Sequence, residues 1–416
     1  MLRFRFYFSL MLAALSTLEA APNRSDGLRE LLDAKIYQVP ATYPHPTYDV
    51  GKVKALFYES IPYQGKAKRV FAYIGIPESE EPVPAMVLVH GGGGTAFHQW
   101  VKLWNDRGYA AIAMDLEGHL PQNVETGGGR LTHAHSGPSR VGRFGDAELP
   151  LEAQWMYHAV SDIFVAHTLL ASLPEVDADR IGITGISWGG ILSSLVSGID
   201  SRYKCAMPVY GCGYLYESHG HFKSVQGAAQ KFWDPARHFA RGRVPTLWVN
   251  SDSDGHFSLN STSRSFETTR EHAWLSIHPG LAHGHRAGWD PRRVPEIYAF
   301  ADYTLKGEGA LPQRIVQQPA GRSVQLSYES DVPVESATVY YLNEALTYRK
   351  PAEDPQARHS RPGPWLSLPA EVKRSERSVY AELPDSCMTY YVNLKDARGQ
   401  LSSSALIELS AGSPGR

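Results

Sequence analysis

Cysteine is scarce in this chain: three occur among 416 residues, at Cys205, Cys212 and Cys387. That number is too small for a disulfide framework, so the stability of the fold must come from a buried apolar core. The composition of residues 205–212 predicts an extended strand. At a rise of about 3.3 Å per residue, its two thiols would lie too far apart to bond. We therefore predict no disulfide between Cys205 and Cys212.

The chain also lacks an excess of charge of either sign. Its formal net charge is -2, and no long run of lysine or arginine occurs. This balance removes the electrostatic attraction that nucleic acids and anionic membranes rely on. We therefore expect no nucleic-acid partner, and a small or neutral molecule as the ligand.

Long hydrophobic runs are missing as well. The run Phe6–Leu15 is about half of the roughly 20 apolar residues that a membrane-spanning helix needs. Arg3 and Arg5 precede it, and Ala20 and Ala21 follow it, which is the pattern of a signal peptide over residues 1–21. We therefore expect an exported protein, periplasmic or secreted, with no stable membrane anchor after cleavage.

Short buried strands alternate with helices between residues 22 and 312. At 416 residues the chain exceeds the roughly 250 to 300 at which one core stops growing, so two domains are expected. A hairpin is predicted at 55–76, the continuously apolar run Ala85–Val89 indicates a strand buried on both faces, and the run Tyr109–Asp115 indicates a second buried strand. The alternation predicts an α/β fold with a doubly wound, mainly parallel sheet. Further strands are expected at 180–184, 205–210, 246–250 and 274–278, with helices at 155–173, 191–197 and 294–305.

Three parts of the chain depart from this alternation. Residues 117–149 and 211–243 are rich in glycine and histidine without a sustained period, and we expect them near the substrate. Residues 313–416 contain short strand-like runs separated by turn residues, which predicts a small C-terminal β-sandwich domain. Those runs are 323–330, 336–342, 378–383, 389–394 and 405–409.

The segment Gly185–Gly189 reads Gly-Ile-Ser-Trp-Gly, with a predicted strand before it and a helix after it. This is the pattern of a nucleophile elbow, a sharp turn that exposes a serine hydroxyl. The alternative is an ordinary helix cap at Ser187. A serine hydroxyl needs a histidine to take its proton and an acid to orient that histidine. In this arrangement the acid and then the histidine follow the serine along the chain.

Two candidates exist for each of these partners. The strand 246–250 runs into a turn that carries Asp252 and Asp254, and the loop after strand 274–278 carries His283 and His285. We prefer Asp254 as the acid and His283 as the base, with Asp252 and His285 as alternates. Zinc binding by the closely spaced histidines is disfavoured because no complete ligand set accompanies them. No metal and no cofactor are expected.

The glycine loop His90–Gly94 follows the first predicted parallel strand. Glycines let backbone amides approach a carbonyl oxygen as it becomes negatively charged, so this loop is expected to form part of an oxyanion hole. One donor should be the amide of Gly91 or Gly92, and the other the amide of Trp188. The loop lacks the lysine and hydroxyl residue that complete a phosphate-binding loop.

Residues of roughly 50 to 310 resemble the dienelactone hydrolase and acetyl xylan esterase branch of the α/β-hydrolases, whose members include prolyl-oligopeptidase-like hydrolases. The matching segments are His90–Phe97, Gly185–Gly190, Pro208–Gly213 and His283–His285. The resemblance implies the α/β-hydrolase fold and triad roles for Ser187, Asp254 and His283. Where the family has Gly-Thr-Asn-Asp, this chain has Ser251–Asp254, which leaves Asp252 open as the acid.

The expected activity is hydrolysis of esters through an acyl-enzyme. The expected substrate is a small-molecule or oligosaccharide ester, with acetyl esters of plant or algal polysaccharides as the leading class. Because the same triad serves peptidases, an exopeptidase of the prolyl oligopeptidase type is one alternative. A non-catalytic carbohydrate-binding protein is the other.

Overall fold

The structure is a computed structural model. It describes residues 36–123, 128–223, 225–240, 242–309, 313–350 and 360–409. The signal peptide expected at residues 1–21 lies outside these ranges. Within them, no helix combines the length and apolar character needed to cross a membrane.

Within the described part of the chain, strands and helices alternate between residues 42 and 301. The strands are β1 Thr42–Pro44, β2 Lys54–Tyr63, β3 Lys66–Gly75, β4 Val83–Val89, β5 Ala110–Met114, β6 His119–Asn123, β7 Gly128–Thr132, β8 Val176–Ile186, β9 Cys205–Val209, β10 Thr246–Ser251 and β11 Ala273–His278. The helices are α1 His98–Asn105, α2 Trp155–Ala171, α3 Trp188–Ser197, α4 Gly227–Phe232, α5 Leu259–Thr269, α6 His285–Trp289 and α7 Pro295–Ala301.

The main sheet has the strand order β1-β2-β3-β5-β4-β8-β9-β10-β11. Strands β5, β4, β8, β9, β10 and β11 pair in parallel, whereas β1 to β3 are antiparallel. Every residue of β4, β5 and β9 is buried, as their continuously apolar sequences indicate. The doubly wound, mainly parallel sheet predicted from the sequence is confirmed.

The hairpin of β2 and β3 is closed by Gln64 and Gly65, which have φ angles of 50° and 74°. Two successive positive φ angles are typical of the turn that matches the twist of a two-stranded ribbon. The predicted final helix of residues 294–305 is shorter than expected. Helix α7 ends at Ala301, and residues 302–306 continue as a π-helical turn.

The two irregular segments lie beside the parallel strands. Residues 117–149 contain the antiparallel pair β6 and β7, which the sequence analysis did not predict because such short strands with two adjacent glycines carry no clear period. Residues 211–243 contain the short helix α4. Both segments contribute residues to the cleft described below, as expected.

The C-terminal residues form a second, antiparallel sheet with the order β12-β13-β16-β15-β14-β17-β18, and β19 pairs with β17. Strand β15 pairs with β14 through its first half and with β16 through its second half, so that it joins the two layers of a sandwich. The predicted C-terminal β-sandwich is confirmed. Its strands are β12 Gln313–Ala320, β13 Ser323–Glu329, β14 Val334–Leu342, β15 Leu366–Lys373, β16 Ser378–Glu382, β17 Thr389–Asp396, β18 Leu401–Ser403 and β19 Ile407–Glu408.

The sandwich packs against the edge of the main sheet near β11. Asn393 Nδ2 donates to the Ile277 carbonyl oxygen at 2.9 Å, and the Ile277 amide donates to Ser403 Oγ at 2.7 Å. Tyr391 is fully buried and belongs to the apolar core of the first unit. The domain boundary expected at residue 312 falls among residues 310–312, which lie outside the described ranges.

Candidate active site

Ser187 lies at the turn between β8 and α3, at the carboxyl end of a central parallel strand. Its φ of 58° and ψ of -113° are unusual for a residue with a side chain. The conformation is held by the Ser187 amide, which donates to the Val209 carbonyl oxygen at 2.8 Å. A serine in this position presents its hydroxyl above the end of the sheet.

The two glycines that flank Ser187 are required by close packing. A Cβ at Gly189 would lie 2.0 Å from the Val89 carbonyl oxygen, and one at Gly185 would lie 2.1 Å from the Gly189 carbonyl oxygen. Neither position has room for a methyl group, because the contacting atoms belong to the backbone. The Gly-x-Ser-x-Gly spacing in the sequence therefore has a direct steric cause.

His283 connects Ser187 to Asp254. Its Nε2 lies 3.0 Å from Ser187 Oγ, and its Nδ1 lies 2.6 Å from Asp254 Oδ2. The other oxygen of Asp254 accepts the amides of His256 and Phe257 at 2.7 and 2.8 Å. Burial by itself would raise the pKa of Asp254, but His283 and these amides outweigh it and hold the pKa below its ordinary value. The ionised carboxylate fixes the imidazole so that Nε2 faces the serine hydroxyl.

Asp252 lies outside this series of hydrogen bonds. Its carboxylate accepts hydrogen bonds from the Gly280 amide at 2.8 Å and the Tyr391 hydroxyl at 3.2 Å. Asp252 thereby links the loop after β10, which carries both candidate acids and is called the acid loop below, to the C-terminal sandwich. Its carbonyl oxygen accepts Trp365 Nε1 at 2.9 Å. Burial raises the pKa of Asp252, although the hydrogen bonds from Gly280 and Tyr391 to its carboxylate oppose this rise. Of the two candidate acids, the structure brings Asp254 to His283.

His285 contacts the glycine loop. Its Nε2 accepts the Gly91 amide at 2.9 Å. Burial and the neighbouring His90 lower the pKa of His285 to about 4, so the ring is neutral and able to accept this hydrogen bond at neutral pH. The Gly91 amide is thus already occupied. The Gly92 amide donates to no described residue, and the Trp188 amide, at the start of α3, has no acceptor within the helix.

The arrangement opens into a cleft of about 810 Å³. The residues 117–149 contribute Arg140 and Arg143 to its wall, and the residues 211–243 contribute His221 and Phe222. A serine hydroxyl, a hydrogen-bonded imidazole and unoccupied backbone amides at the base of one cleft form the set of groups that acyl transfer requires.

Two aromatic side chains that the sequence analysis did not assign to the site contact His283. The His256 ring stacks on the His283 ring with 4.2 Å between centroids, and the Tyr210 ring lies 4.7 Å from it. Tyr210 donates its hydroxyl to the Ala282 carbonyl oxygen at 2.8 Å and thereby supports the loop that carries His283. No signal in the sequence distinguishes Tyr210 from an ordinary core tyrosine. His256 was expected to be a loop residue.

His256 also belongs to the group of side chains that come closest to a metal site among the described residues. One ligand atom each of Asp254, His256 and His283 lies within 4.8 Å of the others. Because Asp254 and His283 are already hydrogen-bonded to each other, this group coincides with the Ser187 site. His278 is not part of this group: its Nε2 lies 3.0 Å from Ser276 Oγ and 3.1 Å from Glu296 Oε2.

Comparison with protein families gives two overlapping matches. Residues 25–223 match the acetyl xylan esterase family, and residues 148–308 match the prolyl oligopeptidase family. A curated relative, the uncharacterized peptidase YuxL of Bacillus subtilis (strain 168), is 22% identical over 208 residues. The alignment covers 45% of this chain and only 28% of that relative.

Comparison with solved structures gives the fold. The acetyl xylan esterase of Paenibacillus sp. R4 aligns with a TM-score of 0.51 and 18% identity, over 68% of this chain and 93% of that one. Acetyl xylan esterase 1 of Thermoanaerobacterium sp. JW/SL YS485 aligns with a TM-score of 0.50 and 16% identity, over 64% of this chain and 89% of that one. Together with the two family matches, this likeness shows that the chain has the α/β-hydrolase fold and is a serine hydrolase similar to the acetyl xylan esterase and prolyl oligopeptidase families.

Proposed function

We propose that this serine hydrolase is a carboxylic ester hydrolase that uses Ser187, His283 and Asp254 as its catalytic triad. The observation that carries the proposal is the continuous hydrogen-bonded series from Ser187 Oγ through His283 to Asp254, at the base of an open cleft. An ordinary helix cap at Ser187 would need neither the imidazole nor the buried carboxylate behind it. The series supports nucleophilic catalysis for that reason.

The chemistry follows from these contacts. Ser187 Oγ attacks the ester carbonyl carbon while His283 Nε2 takes the hydroxyl proton, and Asp254 stabilises the resulting imidazolium. The amides of Gly92 and Trp188 are the proposed donors to the negative oxygen of the tetrahedral intermediate. Collapse of the intermediate releases the alcohol, which receives the proton from His283. Water then attacks the acyl-enzyme with His283 as the base, and the carboxylic acid leaves.

The proposed substrates are acetyl esters of carbohydrates, in the form of small molecules or oligosaccharides. Support comes from the match of residues 25–223 to the acetyl xylan esterase family. We also propose export, on the basis of the amino-terminal sequence described above. Amino-terminal sequencing of the protein recovered from each cell fraction tests this: a chain that retains Phe6–Leu15 would contradict it.

An exopeptidase of the prolyl oligopeptidase type is the second candidate, because residues 148–308 match that family. Because the chain is a serine hydrolase, the non-catalytic carbohydrate-binding protein considered from the sequence is no longer a candidate. An ester and a peptide differ in the leaving group that His283 must protonate, and the triad serves both. Direct assay of the two substrate classes is therefore required.

The experiment compares the wild-type protein with Ser187→Ala on acetylated sugars and on aminoacyl anilides. We expect turnover of the acetylated sugars, little turnover of the anilides, and a loss of at least about 10³-fold in kcat for Ser187→Ala. A fluorophosphonate should label the wild-type protein and leave Ser187→Ala unlabelled. Turnover of anilides alone, or unchanged labelling of Ser187→Ala, would contradict the proposal.

A further inference from the structure

The permanently charged side chains among the described residues of the Ser187 cleft wall are all arginines. Among the described residues that line it are two arginines, Arg140 and Arg143, and four histidines, and none is aspartate or glutamate. Asp254 lies beneath the cleft and is already paired with His283. A cleft lined by one sign of charge attracts and holds ligands of the opposite sign.

Arg140 is held rigidly beside the glycine loop. Its Nε lies 3.1 Å from Glu117 Oε1, its Nη1 donates to the Gly142 carbonyl oxygen at 2.8 Å, and its guanidinium lies 5.1 Å from the centre of the Trp188 ring. The side chain is 21% exposed. A guanidinium fixed on two sides loses little conformational entropy when it binds a further group.

One guanidinium nitrogen of Arg140 remains available to a ligand. Its Nη2 donates to no described residue, and it lies 3.0 Å from the place that a Cβ of Gly92 would occupy. This nitrogen therefore lies next to the proposed oxyanion donor. This nitrogen is open to the cleft, where an anionic ligand can replace water and accept a charge-assisted hydrogen bond from it.

The positive charge of Arg140 is not fully neutralised by its partner Glu117. Glu117 also pairs with Arg130, so one carboxylate is shared between two guanidinium groups. Burial opposes ionisation of Glu117, but the charges of His90 and the two arginines hold its pKa below the ordinary value, so one ionised carboxylate faces two guanidinium groups. Arg143 is exposed and donates to the His221 carbonyl oxygen, so its charge is not matched either.

We propose that Arg140 and Arg143 bind an anionic group of the substrate, a carboxylate or a sulfate carried on the sugar close to the ester that Ser187 attacks. The inference rests on the proposed function and narrows it to esters of acidic saccharides. Arginine suits this role because its planar fork matches the oxygen spacing of carboxylate and sulfate groups. A neutral sugar would leave Arg143 without a charged partner and Arg140 with only the Glu117 carboxylate that it shares with Arg130.

The test uses three substrates that carry the same acetyl ester and differ only at carbon 6: an acetylated methyl glucuronoside, the 6-sulfate of the matching methyl glucoside, and that glucoside itself. We expect the wild-type protein to favour one or both anionic substrates by about 10- to 100-fold in kcat/KM, the size of one charge-assisted hydrogen bond. Arg140→Gln and Arg143→Gln should each reduce this preference. Arg292→Gln is the matched control, because Arg292 is an exposed arginine that pairs with Asp290 outside the cleft.

The outcomes separate substrate binding from other roles of Arg140. An equal loss on all three substrates in Arg140→Gln would overturn the proposal, because it would assign the side chain to the oxyanion or to the fold. Equal hydrolysis of the three by the wild-type protein would overturn it too. A higher rate on the uronate than on the sulfate, or the reverse, identifies the anion.

Calorimetry keeps the inference separate from the proposed function. Glucuronate and glucose 6-sulfate are titrated into Ser187→Ala, with and without Arg140→Gln. Binding that depends on Arg140 supports the anion site even if all three esters prove inert, a result that would contradict only the esterase proposal. No binding of either anion would overturn the anion site even if the esters are hydrolysed.

Discussion

Replacement of Asp254 by asparagine separates the two carboxylates that the sequence left open. Asp254 Oδ2 lies 2.6 Å from His283 Nδ1, and its other oxygen is held by two backbone amides. An asparagine would keep its oxygen on those amides and turn its NH₂ group toward Nδ1. The imidazole would then carry its proton on Nε2, where it cannot accept the proton of Ser187.

The expected loss in kcat for Asp254→Asn is about 10³- to 10⁴-fold, or roughly 4 to 5.5 kcal/mol of barrier. The lost attraction between the carboxylate and the imidazolium is of the same size, because two unit charges about 4 Å apart at an effective dielectric constant near 20 interact by about 4 kcal/mol. The two routes to the magnitude agree.

Asp252→Asn is the matched control, because Asp252 is a buried carboxylate two residues away whose partners are Gly280 and Tyr391. We expect its kcat to change by less than about fivefold, since it has no contact with His283. The assay is turnover of 4-nitrophenyl acetate, with circular dichroism to establish that each variant is folded. If Asp254→Asn kept more than a tenth of the wild-type kcat, or if Asp252→Asn lost as much activity, the assignment of the acid would be refuted.

Two further predictions concern stability. Because Ser187 has a φ of 58°, the free energy of unfolding of Ser187→Gly in urea should be about 1 kcal/mol higher than that of Ser187→Ala. Glycine releases roughly 1 to 3 kcal/mol of backbone strain at this φ, which exceeds its entropic cost. A less stable Ser187→Gly would show that the backbone there is unstrained. Tyr391→Phe removes the hydrogen bond to Asp252 and should lower the free energy of unfolding by about 1 kcal/mol. The ring of Tyr340 stacks on that of Tyr391, with 5.1 Å between centroids, and Tyr340→Phe should lower the free energy of unfolding by less. Equal costs for the two variants would remove Tyr391 from the link between the sandwich and the acid loop.

Much of the fold was predictable because its signals are local. Strands β4, β5 and β9 are short apolar runs between turn residues, and a central strand of a parallel sheet must be apolar on both faces. The segment around Ser187 was recognisable for a similar reason, since a Cβ at Gly185 would lie 2.1 Å from the Gly189 carbonyl oxygen within the elbow itself.

Strands β12 and β15 were missed, and both contain a proline, which lacks the amide that a central strand donates. In β15, Pro369 is accommodated where the strand passes from one neighbour to the other. The strand exists because its partners on both sides impose it, and such tertiary pairing overrides the local preference.

The sequence by itself determined the alternation of the central strands and helices, the sharp turn at Ser187, and the loops on which its partners would be found, because each depends on residues close together in the chain. Only the tertiary structure decided that Asp254, and not Asp252, reaches His283, that His285 occupies the Gly91 amide, and that Arg140 lies beside Gly92. These relations join segments that are up to 194 residues apart. A difference of two positions within a loop leaves its composition almost unchanged, yet it decides which carboxylate reaches His283.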